Sequence, residues 1–326
     1  MANPTRHAPR LLIGLPVYNG ERLLPQAIEC LLAQSFGDFE IVIGDNASTD
    51  RTQEICQDYV RRDPRIRYVR HEHNLGAVAN FNRVLELSAA PLFKWAAHDD
   101  LHRETYLEAC ITLLDAHPDL VLAHSGTAFV DERGQPFPFD TKTGAYVDPR
   151  TGSRQKPDSP LVGDSASPVE RFWQVLTGAC WGTHSFGVIR REALLKTSLL
   201  PNFAGSDRVM LGELALLGRF KSSPEPLFLR RLCPNGSWTL SREELKGYLS
   251  TDGVAYSRRA RQIEAYFSAP RGKPIGTLEK LVCAGMVGVH CVKIAGRALT
   301  RKDARDTKER SAWRHPAEAS NSEVVK

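Results

Sequence analysis

The sequence predicts an α/β protein built on a doubly wound, mainly parallel sheet flanked by helices, with a helical extension at its C-terminal end. Three observations carry this. Strand-like apolar runs alternate with helical stripes and short loops, the pattern that parallel sheets with right-handed crossovers require. Several of those runs end in polar loops, which should gather along one edge of the sheet. And the run Leu92-Phe93-Lys94-Trp95-Ala96-Ala97-His98 opens like a buried strand and stops at two adjacent carboxylates, Asp99-Asp100. In open α/β sheets ligands bind outside the carboxyl ends of the strands. Two acids there repel unless a cation or donors lie between them, and neighbouring side chains of an extended segment point to opposite sides. The pair therefore reads as one acid for a divalent metal and one for a ligand hydroxyl; the plain alternative is a solvated turn.

The elements follow in order. Leu11–Leu15 is a buried strand, with Pro16 expected to stop its ladder and Val17-Tyr18-Asn19-Gly20 as the turn after it. From Arg22 to Gln34 the positions Leu23, Leu24, Ala27, Ile28, Leu31 and Leu32 form a helical stripe, with Pro25 tolerable in the first turn. Phe39–Ile43 is the second strand, ending in the turn-rich Gly44-Asp45-Asn46-Ala47-Ser48-Thr49-Asp50. A helix with Ile55, Cys56, Tyr59 and Val60 inward leads to a short strand, Ile66–Val69. Asn74-Leu75-Gly76 opens a helix running through Ser88. After Asp100 come a helix, Tyr106–Leu114, and a strand, Leu120–Ser125. Residues 131–168 read as a long excursion carrying a hairpin. Then follow a helix from Pro168 to Leu176, a strand over His184–Arg190, a helix opened by Ser206-Asp207 with Val209, Met210, Glu213, Leu214 and Leu217 inward, and a last strand, Leu227–Arg231.

Composition excludes several classes. With 326 residues, 42% hydrophobic and 25% charged, this is ordinary globular material. No apolar run reaches the roughly 18 residues of a membrane span. Met1–Pro9 lacks the apolar core of a signal peptide and reads as a flexible N-terminus. Seven cysteines without a Cys-x-x-Cys pair argue for reduced thiols in the cytoplasm and against zinc. The net charge of +5 is uneven: residues 271–314 hold eleven Lys/Arg and four Asp/Glu, leaving 32 Lys/Arg against 34 Asp/Glu elsewhere. The rest of the chain is thus slightly acidic, and no nucleic-acid partner is expected. The first turn lacks a G-x-G-x-x-G fingerprint, no Walker loop is present, and no Gly-x-Ser-x-Gly elbow occurs, which disfavours nicotinamide, P-loop and α/β-hydrolase chemistry.

Taken together, Pro16-Val17-Tyr18-Asn19, Ile41-Val42-Ile43-Gly44-Asp45-Asn46-Ala47-Ser48-Thr49-Asp50, Asn74-Leu75-Gly76 and His98-Asp99-Asp100 resemble glycosyltransferase family 2 over roughly residues 10–235. The resemblance implies a GT-A fold over 10–240, with a nucleotide-binding half at about 10–130 and an acceptor-side half at about 168–240. It implies inverting transfer of a sugar from a nucleoside-diphosphate sugar to an acceptor hydroxyl, in polysaccharide or cell-surface glycan synthesis. By the same resemblance Asp45 reads the nucleotide base, with Pro16, Tyr18 and Asn74 in the nucleotide-sugar site. Asp100 holds Mg²⁺ or Mn²⁺, and Asp99 the ribose or a shared metal contact. Asp207 is the general base, and Arg231 supplies charge near the leaving diphosphate, where the family's usual histidine is missing. Uridine or thymidine diphosphate donors come first, since a carboxylate accepts from a base N–H; the acceptor is a glycan or lipid-linked molecule. Each assignment has a plainer counterpart: a capping turn for Asp45, an edge aromatic for Tyr18, helix N-terminal stabilisation for Asp207. Trp181 and His184 suit the acceptor side or, more simply, the core. His98 is given no role. Two other readings are a non-catalytic sugar-nucleotide sensor, which needs no base, and a nucleotidyltransferase, whose Gly-rich basic first loop is absent.

Beyond Ser241 the chain looks helical through 302, and 303–326 reads as a disordered tail. Leu278, Leu281, Val282, Met286, Val289, Val292 and Leu299 form a stripe flanked by Lys280, Lys293, Arg297 and Arg301. Such a helix, 278–302, either lies on the inner face of an anionic membrane or packs back on the domain; packing back is the simpler expectation.

Overall fold

The computed structural model describes residues 8–87, 89–178, 181–233, 240–249 and 258–300. The expected tail at 303–326, Ser88, Ala179, Cys180, and residues 234–239 and 250–257 lie outside the described residues, as do most of the N-terminal nine.

The first half alternates as expected: β1 (Leu11–Val17), α1 (Leu24–Leu32), β2 (Phe39–Asp45), α2 (Thr52–Arg62), β3 (Ile66–Arg70), α3 (Ala77–Glu86) and β4 (Leu92–Trp95). A two-residue strand β5 (Leu101–His102), helix α4 (Tyr106–Ala116) and long strand β6 (Leu120–Val130) follow. The excursion carries a small antiparallel sheet of β7 (Phe139–Asp140), β8 (Ala145–Val147) and β9 (Arg154–Gln155). The second half runs through α5 (Pro168–Gly178), a 3₁₀ turn over Thr183–Phe186, β10 (Val188–Arg190), α6 (Arg191–Leu194), α7 (Ser206–Leu217) and β11 (Arg219–Arg231). Helices α8 (Arg242–Leu249), α9 (Arg258–Ser268) and α10 (Thr277–Thr300) close the described chain.

Eight strands form one sheet in the order β3-β2-β1-β4-β10-β6-β11-β5. It is mainly parallel; β10 runs against β4 and β6, and β5 against β11. β1 and β2 are buried along their whole length, because helices cover both faces. Helix α3 approaches so closely that a Cβ on Gly14 or Gly44 would meet Val84 at 2.7 or 2.5 Å.

Several expectations need correction. Pro16 does not end β1: pairing with β2 continues through Pro16↔Gly44 to Val17↔Asp45, and only the pairing with β4 stops at Gly14. Val60 faces solvent at 38% exposure, and Thr52 takes the inward place. Residues 183–186 make a 3₁₀ turn closed by Gly187 N–H to His184 O, so only Val188–Arg190 is strand. β11 starts eight residues before Leu227; Pro224 and Pro226 hid it, and its pairing with β6 is bulged there.

Helix α10 packs back on the domain, but not through the stripe that suggested it. Cys283 and Val287 join Phe172, Val209, Leu216 and Tyr266 in one buried cluster. Leu278, Leu281, Val282, Val289 and Val292 face outward, 41–74% exposed. The linker into α10 is clamped by Lys273, whose Nζ donates to Lys196 O at 2.6 Å and lies 3.4 Å from Glu213 Oε1; Glu213 Oε2 accepts from Ser198 N–H and Oγ–H. Among the described residues no helix is long and apolar enough to cross a membrane.

Under the sheet's polar edge lies a buried polar cluster. Lys94 is fully buried; its Nζ donates to the carbonyls of Trp95 and Phe186 and stands 4.6 Å over the Tyr106 ring. Tyr106 Oη bonds His124 Nδ1 and Phe186 O, both at 2.9 Å. His102, His124 and His184 are buried, and burial lowers the proton affinity of each. Burial likewise pulls the Lys94 pKa from 10.5 down to about 7, against the pull of Cys110 and Asp100. Between pH 7 and 10.5 the unfolded chain therefore holds a proton that the folded chain has shed, so this group's contribution to stability grows as pH rises through that window and is lost as pH falls through 7. Lys94→Met should raise the melting temperature at pH 7 by several degrees and flatten its rise from pH 7 to 9. Phe186 O keeps the Tyr106 partner in that variant. Thermal melts at the two pH values check this; a lower melting temperature for the variant at pH 7 would show that the buried amine is a net gain.

Candidate active site

A cleft of about 410 Å³ opens where the parallel strands end. Its walls are residues 16–20 after β1, Asn46 after β2, Ala77, Asn80 and Phe81 on α3, residues 97–100 after β4, and Phe186, Arg230, Cys233 and Tyr248, with Arg22 and Leu23 at the rim. Of the residues expected from sequence, Pro16, Tyr18, Asp99 and Asp100 line it. Asp45, Asn74, Arg231 and Asp207 do not.

The two strand-end loops that build one wall are knitted together. Asn19 N–H bonds Ser48 Oγ, Gly20 N–H bonds Thr52 Oγ1, Thr49 N–H bonds Asn19 Oδ1, Glu21 N–H bonds Asp50 Oδ2, and Arg51 N–H bonds Glu21 Oε2. This network holds Asn19 and Ala47 at positive φ, 50° and 60°, a conformation that costs an alanine about 1–2 kcal/mol. Tyr18 projects from this wall, 44% exposed.

Asp45 is completely buried. Its Oδ1 accepts from Ser48 N–H at 2.9 Å and its Oδ2 from Tyr68 Oη–H at 2.5 Å, and Arg70 stands at 3.9 Å. Next to it, Asn46 reaches the cleft. Asn46 Nδ2 donates to Asn74 Oδ1, and Asn46 Oδ1 accepts from Leu75 N–H, which leaves one donor and one acceptor position on the carboxamide. Asn74 Oδ1 accepts this bond and a second one from Gly76 N–H. Asn80, which sequence reasoning passed over, donates to Gly44 O and Val17 O and so ties the ends of β1 and β2.

Asp100 is buried, with Oδ1 accepting from Arg231 N–H at 2.9 Å. Burial raises its pKa to about 7; Arg230 draws it down, and the neighbouring Asp99 pushes it up. Arg231, only 2% exposed, has no side-chain atom to spare for a ligand: Nε bonds Asp99 O, Nη1 bonds Glu132 O and Nη2 bonds Gln26 Oε1. The cation facing the cleft is its neighbour. Arg230 Nη1 lies 3.9 Å from Asp100 Oδ2, with the guanidinium over Trp181 and Phe186. Adjacent strand residues face opposite ways, and sequence alone did not fix which of the two arginines faced in. The acid pair fits a divalent cation: burial disfavours two bare charges side by side, Asp100 Oδ2 has no hydrogen-bond donor among the described residues, and Mg²⁺ or Mn²⁺ completes its shell with diphosphate oxygens and water. Among the described residues no group of three or more His, Cys, Asp or Glu would hold a metal unaided.

Asp207 stands in the first turn of α7, half-buried, against the wall behind Arg230. Its Oδ2 lies where a Cβ on Gly182 would be only 2.5 Å away, and Gly182 has φ 66°, so both space and backbone require glycine there. Burial raises the Asp207 pKa, while Arg208, its own helix's N–H groups and Arg230 oppose that. Gly182 is fixed by Asp158, another residue not foreseen: its Oδ1 accepts from Trp181 N–H at 2.7 Å and its Oδ2 from Thr183 N–H at 2.9 Å. Arg230 lies over Trp181, and the next residue, Gly182, packs against Asp207, so side chains in contact link the acid pair to a second acid, although Trp181, Gly182 and Asp207 do not line the cleft itself. His184 lies in the buried cluster.

Residues 12–166 match the model of Glycosyl transferase family 2. An uncharacterized glycosyltransferase of Haemophilus influenzae is 28% identical over 221 residues, 66% of this chain and 85% of that one. Another, of Methanocaldococcus jannaschii, is 28% identical over 128 residues, 39% and 44% of the two chains. The chain spans less than half the length of the first curated relatives it matches. Among solved structures, S. aureus TarS 1-349 in complex with UDP-GlcNAc superposes with TM-score 0.61 at 17% identity, over 93% of this chain and 78% of that one. The mannosyltransferase PcManGT from Pyrobaculum calidifontis, in complex with GDP-Man and Mn²⁺, superposes with TM-score 0.51 at 15% identity, over 95% and 86%. These likenesses show the GT-A fold. With the strand-end loops, the acid pair and the match in agreement, the chain resembles glycosyltransferase family 2 over residues 12–166.

Proposed function

We propose that this chain transfers a sugar from a nucleoside-diphosphate sugar to an acceptor hydroxyl, with inversion at the anomeric carbon. The observation that carries the reading is the acid pair Asp99-Asp100, held by Arg231 in a cleft at the ends of the parallel strands. Tyr18 offers an exposed ring for the base to stack on. Because Asp45 is spent on Tyr68 and Ser48, the base edge falls to Asn46, whose free donor and acceptor positions complement the N3–H and carbonyl of uracil or thymine; UDP and dTDP sugars remain the first choice. Asp100 and Asp99 would hold Mg²⁺ or Mn²⁺, which supplies charge neutralisation for the leaving diphosphate. Arg230 adds a second positive charge on the same side. Asp207, with its raised proton affinity, takes the proton of the attacking hydroxyl in a single displacement.

The relatives that carry ligands support this reading by analogy of fold: TarS 1-349 binds UDP-GlcNAc and PcManGT binds GDP-Man with Mn²⁺. Screening nucleotide sugars for thermal stabilisation with and without Mn²⁺ should pick out a donor whose binding needs the cation. Equal turnover in excess chelator would remove the cation from the mechanism. Asp207→Asn keeps shape but loses the proton acceptor. It should lower kcat about 10²–10⁴-fold with donor affinity nearly unchanged, and an α-linked donor should give a β-linked product. A near-normal kcat would take Asp207 out of the reaction, and an NMR coupling constant showing retained configuration would overturn the single displacement.

A lipid-linked acceptor for cell-surface glycan or polysaccharide synthesis is the reading favoured by α10. Its outward positions 278, 281, 282, 289 and 292 are all apolar and exposed, on a helix that also carries Lys280, Lys293 and Arg297, which suits an anionic bilayer surface. The protein should bind anionic but not neutral liposomes, and less at high salt. Leu281→Glu with Val292→Glu should abolish that binding and leave turnover of a water-soluble acceptor intact. Unchanged liposome binding by the double variant would exclude this face.

A further inference from the structure

Arg230 and Arg231 are neighbours on one strand and are held in opposite ways. Arg231 is locked by four hydrogen bonds. Among the described residues, Arg230 is held by one long ion pair, 3.9 Å, and by two ring faces, Trp181 at 5.7 Å and Phe186 at 5.8 Å, and its buried Nε has no hydrogen-bond partner. A guanidinium carries five N–H donors, so this one is under-used, and little binding energy opposes its displacement.

Among the described residues, its ion-pair partner is the oxygen that matters. Asp100 Oδ1 is taken by Arg231 N–H, so Oδ2 is the oxygen left for a cation. A divalent ion bound to Oδ2 at about 2.0–2.2 Å would lie within a few ångströms of the guanidinium, where like charges repel strongly in a partly buried site. Both cannot hold that oxygen at once.

Resting on the reading of Asp99-Asp100 as the cation-holding pair, we propose that Arg230 is an internal competitor for the cation, holding Asp100 until a divalent ion displaces it. The displaced guanidinium leaves the Trp181 face and becomes available to an incoming diphosphate. Cation and donor then favour one another's binding through this side chain, a coupling of two ligands by one two-position group. Without donor, the cation binds weakly because it must first evict an arginine.

Two variants separate charge from packing. Arg230→Met keeps an apolar, polarizable chain against the two rings and removes the competitor; Arg230→Lys keeps a charge. Mn²⁺ binding without donor is followed by electron paramagnetic resonance of the free ion. Arg230→Met should bind Mn²⁺ about 5–150-fold more tightly than the unmodified protein, the span of a typical coupling energy, and Arg230→Lys much less so. Asp100→Asn should abolish binding in either background. Mg²⁺ should change the tryptophan emission of the unmodified protein as Arg230 leaves Trp181, and this change should be missing in Trp181→Phe and in Arg230→Met. If Mn²⁺ binds the unmodified protein through Asp100 but Arg230→Met binds no more tightly, or emission stays constant while Mg²⁺ binds, the competition is refuted and the cation site stands. If neither protein binds Mn²⁺, with or without UDP, the competition and the cation reading both fall.

Discussion

The candidate site depends on one side chain that touches no ligand. Arg231 comes from β11, the last strand, and reaches three other parts of the fold: α1 at Gln26, the loop after β6 at Glu132, and the turn after β4 at Asp99 and Asp100. Those contacts join segments more than 200 residues apart in sequence. They also set the acid pair's orientation, because one Asp100 oxygen is fixed by a backbone N–H and the Asp99 carbonyl by Nε. A buried arginine bonded through all three guanidinium nitrogens is costly to disturb; removing its partners leaves an uncompensated charge. The cleft is thus rigid where a cation would sit and loose where Arg230 faces it.

What was legible in the sequence was whatever a local pattern could encode. The alternation of apolar runs and helical stripes gave the sheet, and the abrupt change from Trp95 to Asp99-Asp100 marked the cleft. What was hidden depended on partners far along the chain. Asp45 looked available for a base, but Tyr68, on the neighbouring strand β3, takes one of its oxygens. The inward-facing arginine was missed by one residue, because strand parity is set by pairing with β6 and not by composition. Asp158 sat in a stretch that read as a featureless excursion, yet it fixes the loop against which Asp207 packs. On α10 the apolar stripe was read correctly as a stripe; which side faced the protein was decided by smaller residues, Cys283 and Val287, that packing against α5 and α9 requires.

The buried cluster beneath the cleft shows a different logic. Lys94, Tyr106, His124 and His184 lie among aromatic rings, with Phe228 near both His102 and His124. Histidines kept neutral by burial add polarity to the core without adding charge, and each leaves a ring nitrogen unpartnered: His102 Nε2, His124 Nε2 and His184 Nδ1. Such unmet hydrogen bonds weaken a core, and they lie directly under the wall that carries Phe186.

The strand order has a consequence for how such a protein can be divided. The family match ends at residue 166, but β10, from beyond that point, is the strand that joins β4 to β6. A fragment cut at the end of the match would not merely lack its last helices. Its sheet would be split, with the bare edges of β4 and β6 left as templates for pairing with other chains. The segments before and after residue 166 are therefore woven like the two threads of a single seam. Exchanging the later segment between relatives would mean replacing a central strand, so recombination at this boundary risks aggregation.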